Sequence, residues 1–242
     1  MKKPANPQKV DKMDTMDNAK FLSQISLFLN LPYEEVARAA AIIQERVYRK
    51  GSPIFFEGDP GEAMFIIKEG AVKVYRLSID GKEKTLAIIS RGGCFGEMSL
   101  LDGLPRSAAA QALEDSKLLI LPREDFLKLL TSNPQIALKI IRVLTARLRE
   151  ADQQIEYLAF GDARGRVASI LLDLFQKHAK LGPDGYTIDI RLTHQELANL
   201  SGVTRETASR ILSEFEEDGL IRIQGRNILI SSEKGLRCLI SF

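Results

Sequence analysis

The spacing of apolar and polar residues divides the chain into regions of different periodicity. The first eighteen residues are polar, contain Pro4 and Pro7 and show no period, which predicts a mobile tail. Helical patterns follow at residues 19–29 and 34–46. Short apolar runs separated by glycines fill residues 47–122, and helical spacing dominates from residue 123 onward. This order of patterns predicts an α+β protein, with a strand-rich region followed by a helical one.

The strand-rich region contains five clear apolar runs. Asp80-Gly81 between two of them is a strong hairpin signal. Many short strands at regular spacing predict a β-barrel of the jelly-roll type, also called a double-stranded β-helix. The predicted strands are Ile54–Phe56, Met64–Ile67, Ala71–Tyr75, Thr85–Ile89 and Lys117–Ile120.

A heptad pattern marks the helix that follows. Apolar residues recur there at alternating spacings of four and three, which is the seam of a coiled coil and predicts a homodimer. The alternative is a single amphipathic helix that packs on its own barrel. The seam consists of Ala137, Ile141, Leu144, Leu148, Ala151, Ile155 and Leu158.

The last region carries the pattern of a helix-turn-helix. Thr193 and Glu196 have the spacing of a capping box at the start of a helix. Gly202 supplies a tight turn, and Thr204 can cap a second helix. Two helices joined by so short a glycine turn predict a helix-turn-helix.

Charge along the second helix indicates which end could approach DNA. Arg205, Glu206 and Arg210 lie in its first two turns, whereas acidic residues crowd its C-terminal end. Arginine can bond guanine O6 and N7 together, and glutamate can accept from cytosine N4. Residues 219–230 resemble the hairpin of a winged helix, where Arg222 and Arg226 would contact phosphates. The alternative is that these arginines are ordinary solvated surface charge.

Composition adds limits to this prediction. The 242-residue chain is 45% hydrophobic and 27% charged, with a net charge of only +2, so basic residues must act locally. Cys94 and Cys238 are too few for a disulfide framework and favour a reducing cytoplasm. Neither a secretory signal nor an apolar run of membrane-spanning length occurs in the sequence.

A glycine-rich segment inside the strand-rich region suggests an anion site. Free backbone N–H groups after glycines bind anions, and Arg106 and Ser107 could add further donors. Glu97 would repel an anion, so its expected partner is a donor such as a sugar hydroxyl. An anion beside a hydroxylated sugar describes a nucleotide.

Three segments extend these observations to a family resemblance. Gly96–Leu101 with Arg106–Ala108 resembles the phosphate-binding cassette of cyclic-nucleotide-binding domains. Arg205–Leu212 resembles the recognition helix of the CRP/FNR family, and 158–167 resembles its hinge. The resemblance implies a disordered tail (1–18), a cyclic-nucleotide-binding sensor (19–123), a dimerisation helix (124–160) and a winged helix-turn-helix (161–242).

The resemblance also implies an effector site for cyclic AMP or cyclic GMP. Glu97 would meet the ribose 2′-hydroxyl, and Arg106 and Ser107 the cyclic phosphate. Two base-contacting positions on the dimer helix depart from the family, because Ala151 cannot hydrogen-bond through its side chain and Asp152 accepts only when ionised. The identity of the base therefore stays open. The full expected ligand set is Gly96, Glu97, Met98, Ser99, Arg106, Ser107, Ala108, Ala151 and Asp152.

The implied function is that of an allosteric transcriptional regulator in the cytoplasm, with no enzymatic activity and no membrane partner. Effector binding would reposition two recognition helices to fit successive major grooves ~34 Å apart on a palindrome with TGTGA-like half-sites. RNA polymerase is an implied partner. The expected DNA contacts are Thr193, Thr204, Arg205, Glu206, Thr207, Ser209, Arg210 and Arg226.

Other classes of protein fit the residues less well. An iron–sulfur sensor needs four cysteine ligands, and the strand-rich region has no histidine for a haem or for the metal of a cupin enzyme. His178 and His194 are expected to be structural, and Cys94 to be a packed residue rather than a redox sensor. A regulator that is ligand-independent, or that answers to another effector, is the alternative that remains.

Overall fold

A computed structural model describes residues 12–182, 185–188, 190, 192–225 and 227–240. The first half contains helices α1 (Lys12–Gln24), α2 (Tyr33–Ile42) and α3 (Met98–Leu101), and strands β1 (Gln44–Tyr48), β2 (Pro53–Phe55), β3 (Ala63–Glu69), β4 (Ala71–Leu77), β5 (Glu83–Ser90), β6 (Cys94–Phe95), β7 (Ala109–Ala112) and β8 (Ser116–Pro122). The second half contains helices α4 (Arg123–Ser132), α5 (Pro134–Phe160), α6 (Ala163–His178), α7 (His194–Ser201), α8 (Arg205–Glu217) and α9 (Glu233–Cys238), and strands β9 (Ala179–Gly182), β10 (Gly185–Ile188), β11 (Ile221–Gln224) and β12 (Asn227–Ile230).

The strands of the first half confirm the α+β prediction and correct one detail of it. They pair in two four-stranded sheets, ordered β1-β8-β3-β6 and β2-β7-β4-β5, instead of closing into one barrel. All five predicted strands are present, and β1, β6 and β7 are additional. Because Gln44–Tyr48 pairs in antiparallel register with β8, the helix predicted for residues 34–46 ends at Ile42.

The start of the described chain is helical from Lys12, whereas the sequence pattern predicted a mobile tail as far as residue 18. The Lys68 ammonium lies 2.7 Å from a carboxylate oxygen of Asp17 and donates a 2.8 Å hydrogen bond to the buried side chain of Asn18. These contacts hold the helix against β3. Residues 1–11 lie outside the described residues.

The helix predicted to run unbroken from residue 124 is divided into α4 and α5. Asn133 between them has an extended conformation, with φ −136° and ψ 90°. The next residue is Pro134, which cannot supply a backbone donor and disfavours helical geometry in the residue before it. Proline is well tolerated in the first turn of a new helix, so α5 begins there.

Contacts group the residues into two compact units that cut across the expected domains. The first contains the described residues of Met1–Val72 and Ile89–Leu144, and the second contains Lys73–Ile88 and Thr145–Phe242. Each unit has its own apolar core. The β4–β5 hairpin, expected to belong entirely to the sensor, therefore groups with the helix-turn-helix from Lys73 onward.

Among the described residues, no helix is both long enough and apolar enough to cross a membrane.

Candidate functional site

The glycine-rich segment folds as a sharp turn between β6 and α3. Gly96 occupies this turn with φ +80°, in the left-handed region that favours glycine. A Cβ atom at this position would lie 2.8 Å from Nη1 of Arg106 and 3.3 Å from the ring of Phe65. The turn and the arginine are therefore in close contact, and a side chain at position 96 would have to displace the guanidinium.

Arg106 makes most of the hydrogen bonds of this cluster. Its Nη1 donates to the carbonyl of Gly96 at 2.5 Å and to the hydroxyl of Ser99 at 2.8 Å, and its Nη2 donates to the carbonyl of Ala63 at 2.6 Å. Its Nε atom is buried and has no hydrogen-bond acceptor among the described residues. The guanidinium has five N–H donors and these bonds use three of them, so Nε and one hydrogen of Nη2 are left for further acceptors, such as anionic oxygens.

The environment of Arg106 is unusual for a cation, because only 5% of the residue is exposed. The guanidinium carbon lies 4.4 Å from the ring centroid of Phe55 and 5.7 Å from that of Phe65. Burial lowers the pKa of Arg106, and the negative charge of Glu97 is the largest influence that opposes this shift. Arginine nevertheless stays protonated, so the cluster holds a buried positive charge.

The other expected ligand residues of the segment differ in exposure. Glu97, Ser99 and Ala108 are buried, whereas Met98 and Ser107 are exposed. The structure therefore brings Gly96, Ser99 and Arg106 into direct contact. It also places the carboxylate of Glu97 where its negative charge raises the pKa of the arginine. Cys94 lies in the apolar core of the same unit, in agreement with its interpretation as a packed residue.

Gly96→Ala is expected to destabilise the first unit more than Gly51→Ala does. Both glycines have φ +80°, so an alanine at either costs about 1–2 kcal/mol in backbone strain. Only Gly96 adds a steric clash, since a Cβ at Gly51 would meet no atom within 4 Å. Urea unfolding of the two variants tests this, and equal losses of stability would show that the contact with Arg106 is not a tight one.

The remaining expected ligand residues lie on α5. Ala151 and Asp152 are exposed and belong to the second unit. Ala151 lies on the predicted seam, where several large apolar side chains are open to solvent in the single chain. The exposed members include Ile141, Leu148, Ile155 and Leu158, with exposed fractions of 56%, 63%, 65% and 51%. Such a stripe is what a partner helix would cover.

The helix-turn-helix forms as its local sequence predicts. Thr193 caps α7 in a complete capping box, in which its hydroxyl accepts from the amide of Glu196 and the glutamate accepts from the amide of Thr193. Gly202 ends α7 with φ +66°. Thr204 caps α8 by accepting from the amide of Thr207.

Helix α8 presents its polar front to solvent. Arg205, Glu206 and Arg210 are exposed, while Ala208 and Ile211 face the core. The main-chain amide of Glu206 itself, followed by the hydroxyl of Thr204, lowers the pKa of the Glu206 carboxyl. The carboxylate of Glu206 is therefore a charged hydrogen-bond acceptor in the first turn of α8, between Arg205 and Arg210 in sequence.

Two side chains support α8 in ways that sequence patterns did not indicate. His194, expected to be merely structural, contacts the hydroxyl of Ser209 through Nδ1 at 2.7 Å and so joins the two helices of the motif. Arg164 on α6 contacts Glu214 and Asp218 and lies 5.2 Å from the centroid of Phe215. Both contacts join residues far apart in sequence, and no local signal predicts them.

The wing is present as β11 and β12, which pair in antiparallel register from Ile221 opposite Ile230 to Gln224 opposite Asn227. Arg222 is exposed on β11. Arg226, expected to contact DNA, lies outside the described residues.

Comparison with known proteins gives results for both units. A model of the cyclic nucleotide-binding domain matches residues 45–133, and a model of the Crp-like helix-turn-helix domain matches residues 165–239. A Thermus thermophilus protein described as a cyclic AMP receptor protein is 44% identical over 81% of this chain and 88% of its own length. A CRP-like cAMP-activated global transcriptional regulator of Mycobacterium tuberculosis is 31% identical over 90% of this chain and 97% of its own. The structure of FixK2 from Bradyrhizobium japonicum matches with a TM-score of 0.76 and 27% identity, over 83% of this chain and 98% of that one.

Proposed function

Because the chain belongs to the CRP/FNR family of DNA-binding transcriptional regulators, we propose that a cyclic nucleotide held around Arg106 controls its binding to DNA. The helix-turn-helix binds DNA and the protein forms a dimer, as members of this family do. Allosteric control then means that the dimer has two states of different affinity for DNA, and that the nucleotide binds one of them more tightly than the other.

The observation that carries this proposal is the environment of Arg106. A buried guanidinium with two donors left over is suited to anionic oxygens, and its planar fork can bond a phosphate in a fixed geometry. The left-handed turn at Gly96 presents its carbonyl to the guanidinium and so helps to hold the arginine in place. We assign the cyclic phosphate to Arg106 and Ser107, and the ribose 2′-hydroxyl to Glu97, by resemblance to the cassette of the family.

The base of the nucleotide would be selected on α5. Ala151 offers no side-chain hydrogen bond, so Asp152 is the candidate for discrimination. An ionised carboxylate can accept one hydrogen bond from the exocyclic amine of adenine, or two from the guanine edge. Cyclic AMP and cyclic GMP are therefore the two effectors to compare.

Calorimetric titration of the purified protein with cyclic AMP and then with cyclic GMP tests the effector. Micromolar binding of either nucleotide would support the proposal, and the ratio of the two affinities would assign the role of Asp152. Absence of heat with both nucleotides would exclude cyclic mononucleotides as effectors. The chain would then be a regulator that is ligand-independent or answers to another effector.

On the DNA side, we propose that Arg205, Glu206 and Arg210 read inverted half-sites like TGTGA, with Thr193, Thr204, Thr207, Ser209 and Arg226 contributing contacts to the backbone or to bases. Both arginines and the glutamate are exposed on the first turns of α8, where recognition helices meet base edges. RNA polymerase is the proposed protein partner at promoters, by resemblance to the family.

Arg205→Ala is expected to weaken binding to such a palindrome about 10- to 100-fold, since a bidentate contact to guanine contributes about 1–3 kcal/mol. Fluorescence anisotropy with a labelled duplex measures the effect. Arg237→Ala is a matched control, because Arg237 is an exposed arginine of the same unit, on α9, where it pairs with Glu233. Equal affinities of the two variants would exclude Arg205 from the interface.

A further inference from the structure

The β4–β5 hairpin contacts the helix-turn-helix directly, within the second unit. The ammonium of Lys84 donates a 2.5 Å hydrogen bond to the carbonyl of Leu200, near the C-terminal end of α7. The side-chain amide of Asn199 donates a 2.9 Å hydrogen bond to a carboxylate oxygen of Glu83. Two neighbouring residues of β5 therefore bind two neighbouring residues of α7, 116 positions away in sequence.

The contact is fixed on both sides. On the hairpin, both carboxylate oxygens of Glu83 lie 2.7 Å from the ammonium of Lys73, which is buried on β4. On α7, Gln195 donates a 2.8 Å hydrogen bond to the side-chain carbonyl of Asn199. A chain of polar contacts thus runs from the interior of the hairpin to the first helix of the motif.

Charge and apolar packing both favour this contact. Leu200 lies in the last turn of α7, where the helix dipole is negative and a cation is stabilising. Ile88, at the other end of β5, packs against the apolar core that contains Leu200. Burial, and the nearby positive charge of Arg166, lower the pKa of Lys84. The ammonium is therefore held away from water, with the carbonyl of Leu200 as its acceptor.

We propose that Glu83 and Lys84 are positioning residues, which hold the helix-turn-helix on the β4–β5 hairpin in an orientation that binds DNA. They contact the C-terminal end of α7, while Arg205, Glu206 and Arg210 stay exposed on α8. A motif held in this way loses its orientational freedom before it meets DNA, so less entropy is lost on binding. The inference rests on the assignment of α8 to DNA recognition.

The test compares Lys84→Met with Lys82→Met. Both variants remove one positive charge from the same hairpin, but Lys82 is exposed near the hairpin tip and pairs there with Asp80. Lys84→Met is expected to weaken binding to the palindromic duplex about five- to tenfold relative to Lys82→Met, measured by anisotropy at one salt concentration. Equal affinities, or tighter binding by Lys84→Met, would overturn the proposal.

Hydrogen exchange of the full-length protein without DNA provides a second measurement. Lys84→Met is expected to speed exchange of the amides of residues 200–203 and of the hairpin, whereas Lys82→Met leaves them unchanged. Identical exchange in both variants would mean that the hairpin does not hold the motif in solution. This result is independent of DNA, so it separates a failure of the hairpin contact from a failure of the proposed DNA site.

Discussion

A variant that carries Leu148→Glu and Ile155→Glu is expected to be monomeric. Its affinity for DNA is expected to fall about a hundredfold or more, because a monomer lacks the avidity of two linked binding elements. Both residues lie on the heptad seam of α5 and are more than three-fifths exposed in the single chain. In the dimer they would be covered, and two buried carboxylates without partners in each protomer would make association strongly unfavourable.

Sedimentation velocity and anisotropy measure the two effects together. Gln153→Glu is the matched control, since it adds a carboxylate to an exposed position of the same helix outside the seam. That variant is expected to stay dimeric. A double variant that remains dimeric would show that the exposed stripe of α5 is not the dimer interface.

Arg106→Gln is expected to lower nucleotide affinity by about a hundredfold or more, since two charge-assisted hydrogen bonds contribute about 1.5–3 kcal/mol each. Glutamine has a polar side chain and can still donate hydrogen bonds to neighbouring acceptors, but it has neither the charge nor the fork that a phosphate would bind. Calorimetry with the nucleotide bound by the wild type measures the loss.

Arg91→Gln is the control for folding in this experiment. Arg91 belongs to the same unit. Its guanidinium carbon lies 4.9 Å from the ring centroid of Phe21, and its Nη1 donates to the carbonyl of Lys68 at 2.8 Å. Like Arg106, it therefore contacts both an aromatic ring and a backbone carbonyl. Thermal unfolding of both variants is measured alongside. If Arg106→Gln binds the nucleotide within threefold of wild type while folded, the phosphate is bound elsewhere.

The parts of the fold that sequence patterns predicted are those whose causes are local. The capping box at Thr193, the left-handed turn at Gly202 and the cap at Thr204 each depend on a few adjacent residues, and all three are present. The five strong apolar runs are strands for the same reason. β1 was missed because Gln44–Tyr48 carries little apolar periodicity and is a strand through its pairing with β8.

The candidate site divides in a similar way. The glycine turn and Arg106 could be predicted as a motif, but the aromatic rings beneath the guanidinium and the carbonyl of Ala63 come from distant strands. No sequence pattern predicts the contact between Lys84 and Leu200, because neither residue type indicates its partner. Tertiary contacts of this kind are visible only in the folded chain.

Nucleotide-dependent DNA binding tests the central claim most directly. A labelled duplex with inverted TGTGA half-sites is titrated with the wild-type dimer alone, with saturating cyclic AMP and with saturating cyclic GMP. We expect at least one nucleotide to tighten DNA binding about tenfold or more, and DNA to tighten binding of that nucleotide by the same factor, because allosteric coupling is reciprocal. Arg106→Gln is expected to bind the duplex equally with and without the nucleotide. Unchanged DNA affinity of the wild type with both nucleotides would contradict the account.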